Sequence, residues 1–109
     1  MKGISEKAFQ AQVIDLARML GYLVYFTWRS IHSPAGFPDL VLVRGDGSPG
    51  NPGRILFIEL KREGARLSPA QEDWARALRN AGGEVYWFDS SASDWELLKK
   101  VLDGNGRIV

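Results

Sequence analysis

Cysteine is absent from the chain and histidine occurs once, at His32. The first absence excludes a disulfide scaffold, a thiol nucleophile and a thiolate zinc site. The two together mean that no nitrogen-and-sulfur metal centre can be assembled within one chain. Neither sign of charge dominates: 14 Lys and Arg stand against 13 Asp and Glu, so any surface for a polyanion must be local. No stretch approaches the roughly 18 apolar residues of a membrane span, and residues 1–6 lack the apolar run of a signal peptide, which points to a cytoplasmic protein with no membrane partner. What is present is 45% hydrophobic and 25% charged residues over 109 positions, the composition of one globular domain spanning 1–109. A chain this short buries only about two-thirds of its unfolded surface, so a homodimer would cover apolar area that one copy leaves bare.

Periodicity predicts a helix over 5–20, with Ser5 as N-cap, Phe9, Val13, Leu16, Ala17 and Leu20 on one face, and Gly21 as the stop. Residues 22–28 read as a strand and 29–38 as a loop. Residues 40–43 form a short apolar strand, joined through the turn-rich run 45–53 to a second strand over 54–61, as a hairpin. In that second strand Ile55, Phe57, Glu59 and Lys61 share one face while Leu56, Ile58 and Leu60 share the other, the pattern of a central strand covered on both sides. Ser68-Pro69-Ala70-Gln71 is a capping box that opens a helix running through Trp74 and Leu78 to the stop at Gly82-Gly83. A strand over 84–88 follows. Ser93-Asp94-Trp95-Glu96 reads as a second capping box, for a helix with Trp95, Leu98, Val101 and Leu102 inward. This order packs most economically as an α/β fold, a central mixed β-sheet flanked by helices on both faces.

Charged groups at the end of a buried strand are costly unless partnered, and Glu59 and Lys61 stand there on one face. Taken alone they read as a surface ion pair at a fraying strand end. In a hairpin, though, the start of one strand lies beside the end of the next, so Asp39 meets the segment 59–61 and three ionisable groups converge. Neighbouring carboxylates are reconciled by a shared proton or by a hard divalent cation held through oxygens, for which Mg²⁺ or Mn²⁺ fits better than zinc in a chain of this composition. Such a cation beside a lysine suits phosphodiester hydrolysis, with Lys61 orienting water or neutralising the charge that develops on phosphorus. A carboxylate proton relay acting on a small metabolite uses the same groups, and spacing does not separate the two.

Phe37-Pro38-Asp39 followed by Ile58-Glu59-Leu60-Lys61 resembles the PD-(D/E)xK nuclease signature. With Gly36 and Leu40 flanking the first piece, and Leu67-Ser68-Pro69-Ala70-Gln71-Glu72-Asp73-Trp74 downstream, the chain is similar to the VRR-NUC (virus-type replication-repair nuclease) branch of that superfamily from Glu6 to about Phe88. The resemblance implies a restriction-endonuclease-like fold and metal-dependent DNA cleavage. It implies Asp39 and Glu59 as metal ligands helped by the backbone carbonyl of Leu60, Lys61 as the catalytic lysine, and Gln71 closing the site from the next helix. Glu6 stands where such nucleases keep a further acidic residue that reaches the metal through water. The resemblance also implies a homodimer acting on branched DNA such as a Holliday junction.

Simpler readings stand beside these roles. Gln71 at N3 of a capping box satisfies the backbone N–H of Ser68 in any case, and Glu6 is a first-turn acid favoured by the helix dipole. Arg29, His32, Arg62 and Arg66 are candidate DNA contacts, or solvated surface charge. Between Arg54 and Arg66 there are four basic residues against two acidic, while 72–103 carries seven acidic against four basic, an asymmetry that would turn a polyanion towards the site. Phe37 or Trp28 at the loop edge could stack on a base, although core packing explains the aromatics more simply. Two readings of another class remain: a nucleic-acid-binding module that keeps the fold without turnover, and a metallohydrolase of small phosphoesters.

Overall fold

The computed structural model describes residues 4–27, 32–45 and 53–104. The elements follow in the order α1 (Glu6–Met19), β1 (Leu23–Phe26), β2 (Leu40–Arg44), β3 (Arg54–Lys61), α2 (Pro69–Asn80), β4 (Glu84–Asp89) and α3 (Ala92–Asp103). One four-stranded sheet has the order β1-β2-β3-β4; the first two pairings are antiparallel and β3 with β4 is parallel, so the sheet is mixed. The β3-to-β4 crossover runs through α2, as a parallel pair requires.

Alternation along β3 decides which helix lies where. Leu56, Ile58 and Leu60 are buried beneath α1 and α3, in a core that also takes Phe9, Val13, Ala17, Leu40, Leu42, Phe88, Leu98 and Leu102. Truncating any of the larger of these to Ala would cost about 2–5 kcal/mol. The opposite face carries Ile55, Phe57, Glu59 and Lys61, and here α2 covers only the part of the sheet nearest β4. Ile55 is 44% exposed, so the expectation of full cover on both sides of β3 holds for one face and fails at the start of the other.

The first strand is shorter than its aromatic and branched run suggests. Tyr22 precedes it, buried, because its hydroxyl donates to the Leu102 carbonyl at 2.8 Å. Trp28, and with it the predicted end of that strand, lies outside the described residues. α3 begins two residues earlier than its sequence pattern indicates: Ser91, not Ser93, is the N-cap and accepts from the Asp94 N–H. The reason is a local network in which the Asp94 carboxylate accepts from the Asp89 N–H at 2.7 Å and Asp89 accepts from the Ser91 N–H at 2.8 Å.

At the far end of the sheet two arginines oppose each other across β2 and β3, Arg44 against Arg54. Like charges so placed repel, yet both are consumed. Arg44 donates to the carbonyls of Leu20, Leu102 and Asp103, and Arg54 donates to the Val101 carbonyl and the Tyr22 hydroxyl while gripping both oxygens of Glu84 at 3.0 and 2.7 Å. Helix C-termini leave carbonyls unsatisfied and carry partial negative charge, so the guanidinium groups close α1 and α3 at once. Arg54 therefore does not belong to a positive surface around Lys61, from which β3 separates it by about 23 Å at strand rise.

Candidate active site

Asp39 is the residue immediately before β2, and its position is set by a loop pressed onto α2. Gly36 has φ +98°, and a Cβ there would fall 2.5 Å from the Ala70 carbonyl oxygen, so only glycine allows this approach. Trp74 Nε1 donates to the Ala35 carbonyl at 3.1 Å. Phe37 packs edge-on against Trp74 and Phe57, with ring centroids 5.1 and 6.0 Å apart. That packing accounts for Phe37 without a base stacked on it. The loop thereby delivers Asp39 Oδ2 to the Leu60 N–H at 2.9 Å, where a further rung of the β2–β3 ladder would otherwise form.

Glu59 and Lys61 are the last residues of β3 on the α2 face. Glu59 is buried, 6% exposed. Gln71 holds one of its oxygens, Oε2, at 2.7 Å. The same Gln71 accepts from the Ser68 N–H through its own carbonyl oxygen, and Ser68 Oγ accepts from the Gln71 N–H, so the capping box and the Glu59 contact coexist in one side chain. The other Glu59 oxygen, Oε1, is buried with no donor among the described residues. The segment after Lys61 is anchored on both sides, the Arg62 N–H donating to Glu6 on α1 and the Glu63 N–H to the buried Ser90 hydroxyl.

The electrostatics follow from this crowding. Burial first, and then the neighbouring Asp39 carboxylate through its charge and a shared hydrogen bond, raise the Glu59 pKa to about 8. Asp39 is also raised, by burial first, with the Leu60 N–H opposing. Glu6 adds like charge to both, and Lys61 opposes it in both. Without a cation the pair keeps a proton at neutral pH. An orphaned buried carboxylate oxygen beside a second carboxylate is the donor set that a hard divalent cation satisfies. A strand residue's N–H and C=O leave on the same edge, so the Leu60 carbonyl faces the Asp39 side along with its N–H. Among the described residues no three His, Asp or Glu side chains cluster closely enough to hold a metal by themselves. The side chains thus offer two ligands, which the Leu60 carbonyl and water would have to complete. Glu6 stands further out.

Of the remaining sequence candidates, Lys61 is half-buried at the site with no ion-pair partner among the described residues. His32, Arg62 and Arg66 are exposed. None makes a side-chain contact with the carboxylates, and His32 stands at the outer end of the loop. Arg29 lies outside the described residues. Sequence reasoning missed Trp74 as a clamp for the Asp39 loop, for which a tryptophan on a helix gives no signal. It also missed the polar lining beside the carboxylates, formed by Gln10, Thr27 and Ser33.

The family model for the VRR-NUC domain matches residues 10–92, most of the chain. The chain belongs to the VRR-NUC family. Two solved structures described as a VRR-NUC domain and a VRR-NUC domain protein superpose with TM-scores of 0.69 and 0.66, at 23% and 18% identity. They cover 90% and 94% of this chain, which spans 94% and 90% of theirs. No curated protein matches the chain. VRR-NUC is a nuclease-family domain, and the mixed sheet with three helices matches the restriction-endonuclease-like α/β fold that the resemblance implied. Nucleic acid is accordingly the partner class, and no described helix is long and apolar enough to cross a membrane.

Proposed function

We propose that this VRR-NUC domain is an Mg²⁺- or Mn²⁺-dependent DNA endonuclease that acts as a homodimer on branched DNA. The observation that carries the reading is the buried Asp39–Glu59 pair with its orphaned Oε1, next to the Lys61 ammonium, which makes no ion pair among the described residues. A binding module has no use for carboxylates facing phosphate, which they repel unless a cation lies between. Asp39, Glu59 and the Leu60 carbonyl would hold the cation, which when bound supplies a Lewis acid at the scissile phosphate. Gln71 keeps the Glu59 carboxylate in its rotamer, and the Leu60 N–H does the same for Asp39. Lys61 positions the attacking water and offsets the negative charge that grows on the phosphate oxygens as the water oxygen bonds to phosphorus and the ester oxygen leaves. Arg62 and Arg66, exposed on the same side, supply phosphate contacts, with affinity that falls as salt rises.

Labelled Holliday junction, flap, single-stranded and linear duplex DNA incubated with purified protein in Mg²⁺, Mn²⁺ or EDTA test this reading, with Asp39→Asn alongside. Cutting of branched substrates that vanishes in EDTA and falls at least 100-fold in the folded variant is expected, given what electrostatic stabilisation contributes. A folded wild type that cuts none of these DNAs under either metal refutes the catalytic reading. Turnover of a chromogenic phosphodiester that DNA does not inhibit would point instead to small phosphoesters.

A further inference from the structure

Two cavities adjoin the carboxylates on the α1 side. The nearer, of about 360 Å³, is lined among others by Gln10, Thr27, Ser33, Phe37, Asp39 and Gln71. The second, of about 440 Å³, takes in Lys7, Ala11, Ile14 and Phe26, and shares Gln10 and Thr27 with the first, so the two form one trough leading away from the site over α1 and β1. Gln10 is half-buried, and its amide and the hydroxyls of Thr27 and Ser33 make no hydrogen bond among the described residues. These groups open into the cavity and are free to bond to whatever occupies it. Among the described residues no cationic side chain lines the nearer cavity. Uncharged donors and acceptors around a polar hollow suit a nucleobase or sugar rather than a phosphate, while Lys7 at the outer end of the trough suits a backbone phosphate.

Size narrows the choice. A hollow of about 360 Å³ stands at the small end of small-molecule pockets, which run from about 300 to 1,000 Å³, the scale of a single nucleoside. We propose that this trough seats a single unpaired nucleotide next to the scissile phosphate, with its base or sugar against Gln10, Thr27 and Ser33 and its strand continuing past Lys7. The inference rests on the nuclease reading and deepens it: the cleaved strand must present an unpaired nucleotide at the cut. A branch point, a flap or a single strand offers one, whereas continuous duplex must first extrude it at the cost of unstacking.

The test pairs Gln10→Ala, and separately Thr27→Val with Ser33→Ala, with substrates carrying a tetrahydrofuran abasic unit at each position flanking the cut. Wild type is expected to cut one abasic position about tenfold more slowly, and Gln10→Ala to slow the intact substrate about tenfold without slowing that abasic substrate further, because both remove the same hydrogen bonds. In the Asp39→Asn background, anisotropy of a short fluorescent single-stranded oligonucleotide without divalent metal should show binding weakened about fivefold by Gln10→Ala, with no loss for duplex of the same sequence. Continued cutting with abasic substitution and both variants silent overturns the trough and leaves the nuclease reading intact. If folded wild type cuts no DNA, the nuclease reading falls, and the anisotropy still decides the trough: an unchanged single-strand affinity in Gln10→Ala overturns it. Circular dichroism confirms that the variants fold.

Discussion

Glu59 is a group held against its preference, and the consequence is measurable. In the folded metal-free chain it keeps its proton to about pH 8, whereas an unfolded chain releases it near 4.5. Between those values the folded state binds the more protons, so stability from this group is complete below about 4.5 and is lost as pH rises through 8. Glu59→Gln keeps the shape and a polar contact for Gln71 but cannot ionise. At pH 8 in EDTA the variant should therefore be more stable than wild type by on the order of 1–2 kcal/mol, less than the full shift implies because water reaches part of the pair. At pH 4.5 the two should melt together. Mg²⁺ or Mn²⁺ should raise the wild-type melting temperature at pH 8 and leave that of Glu59→Gln unmoved. A variant no more stable than wild type at pH 8 in EDTA would mean that the carboxylates are better solvated than their burial indicates.

Among the elements, the loop before β2 carries the greatest structural demand for the least sequence. Gly36→Ala must place a Cβ within 2.5 Å of the Ala70 carbonyl and adopt φ near +98°, so the loop has to lift off α2. Loss of about 1–3 kcal/mol by thermal melting is expected. Cleavage should fall further than stability explains, because the same loop delivers Asp39 to the Leu60 N–H; activity that tracks only the folded fraction would show that Asp39 is held by β2 alone. The sequence made much of this architecture legible because its signals are local. Ser5 and Ser68 cap the helices they were expected to cap, and the alternation in β3 sorts its residues to the correct faces. Where two local signals competed, the outcome depended on a contact further off. Ser91 and Ser93 each precede an acidic residue by three positions, and the Asp89–Asp94 bond settles the choice. In the site, Asp39, Glu59, Lys61 and Gln71 could be named because each belongs to a compact motif. Gln10 and Thr27 could not, since only the packing of α1 against β1 brings them to one hollow.

Over the whole molecule the two ends of the sheet do different work. The Arg44–Arg54 end ties the helix C-termini together through side chains that are fully engaged, while the other end leaves carboxylates crowded and, among the described residues, Lys61 without an ion pair. Between them, the part of the sheet that α2 does not cover presents Leu23, Val43 and Ile55 in a row of register partners, 76%, 41% and 44% exposed, with Tyr25 beside them at 62%. A contiguous apolar strip of that kind on a small chain supports the homodimer proposed above, because a two-fold lays the same strip of two copies together. Val43→Glu sets a charge in the middle of the row, and across a two-fold it sets two charges into one dry interface. Light scattering should find wild type at twice the chain mass and Val43→Glu at the mass of one chain, with a far-ultraviolet spectrum unchanged. On a Holliday junction the variant should convert paired, symmetric cuts into single nicks at a lower rate, since the catalytic groups are intact but their spacing is no longer fixed. A wild type that already scatters as one chain would remove the dimer, and paired cutting would then have to come from two independent encounters, with a second-order dependence on protein concentration.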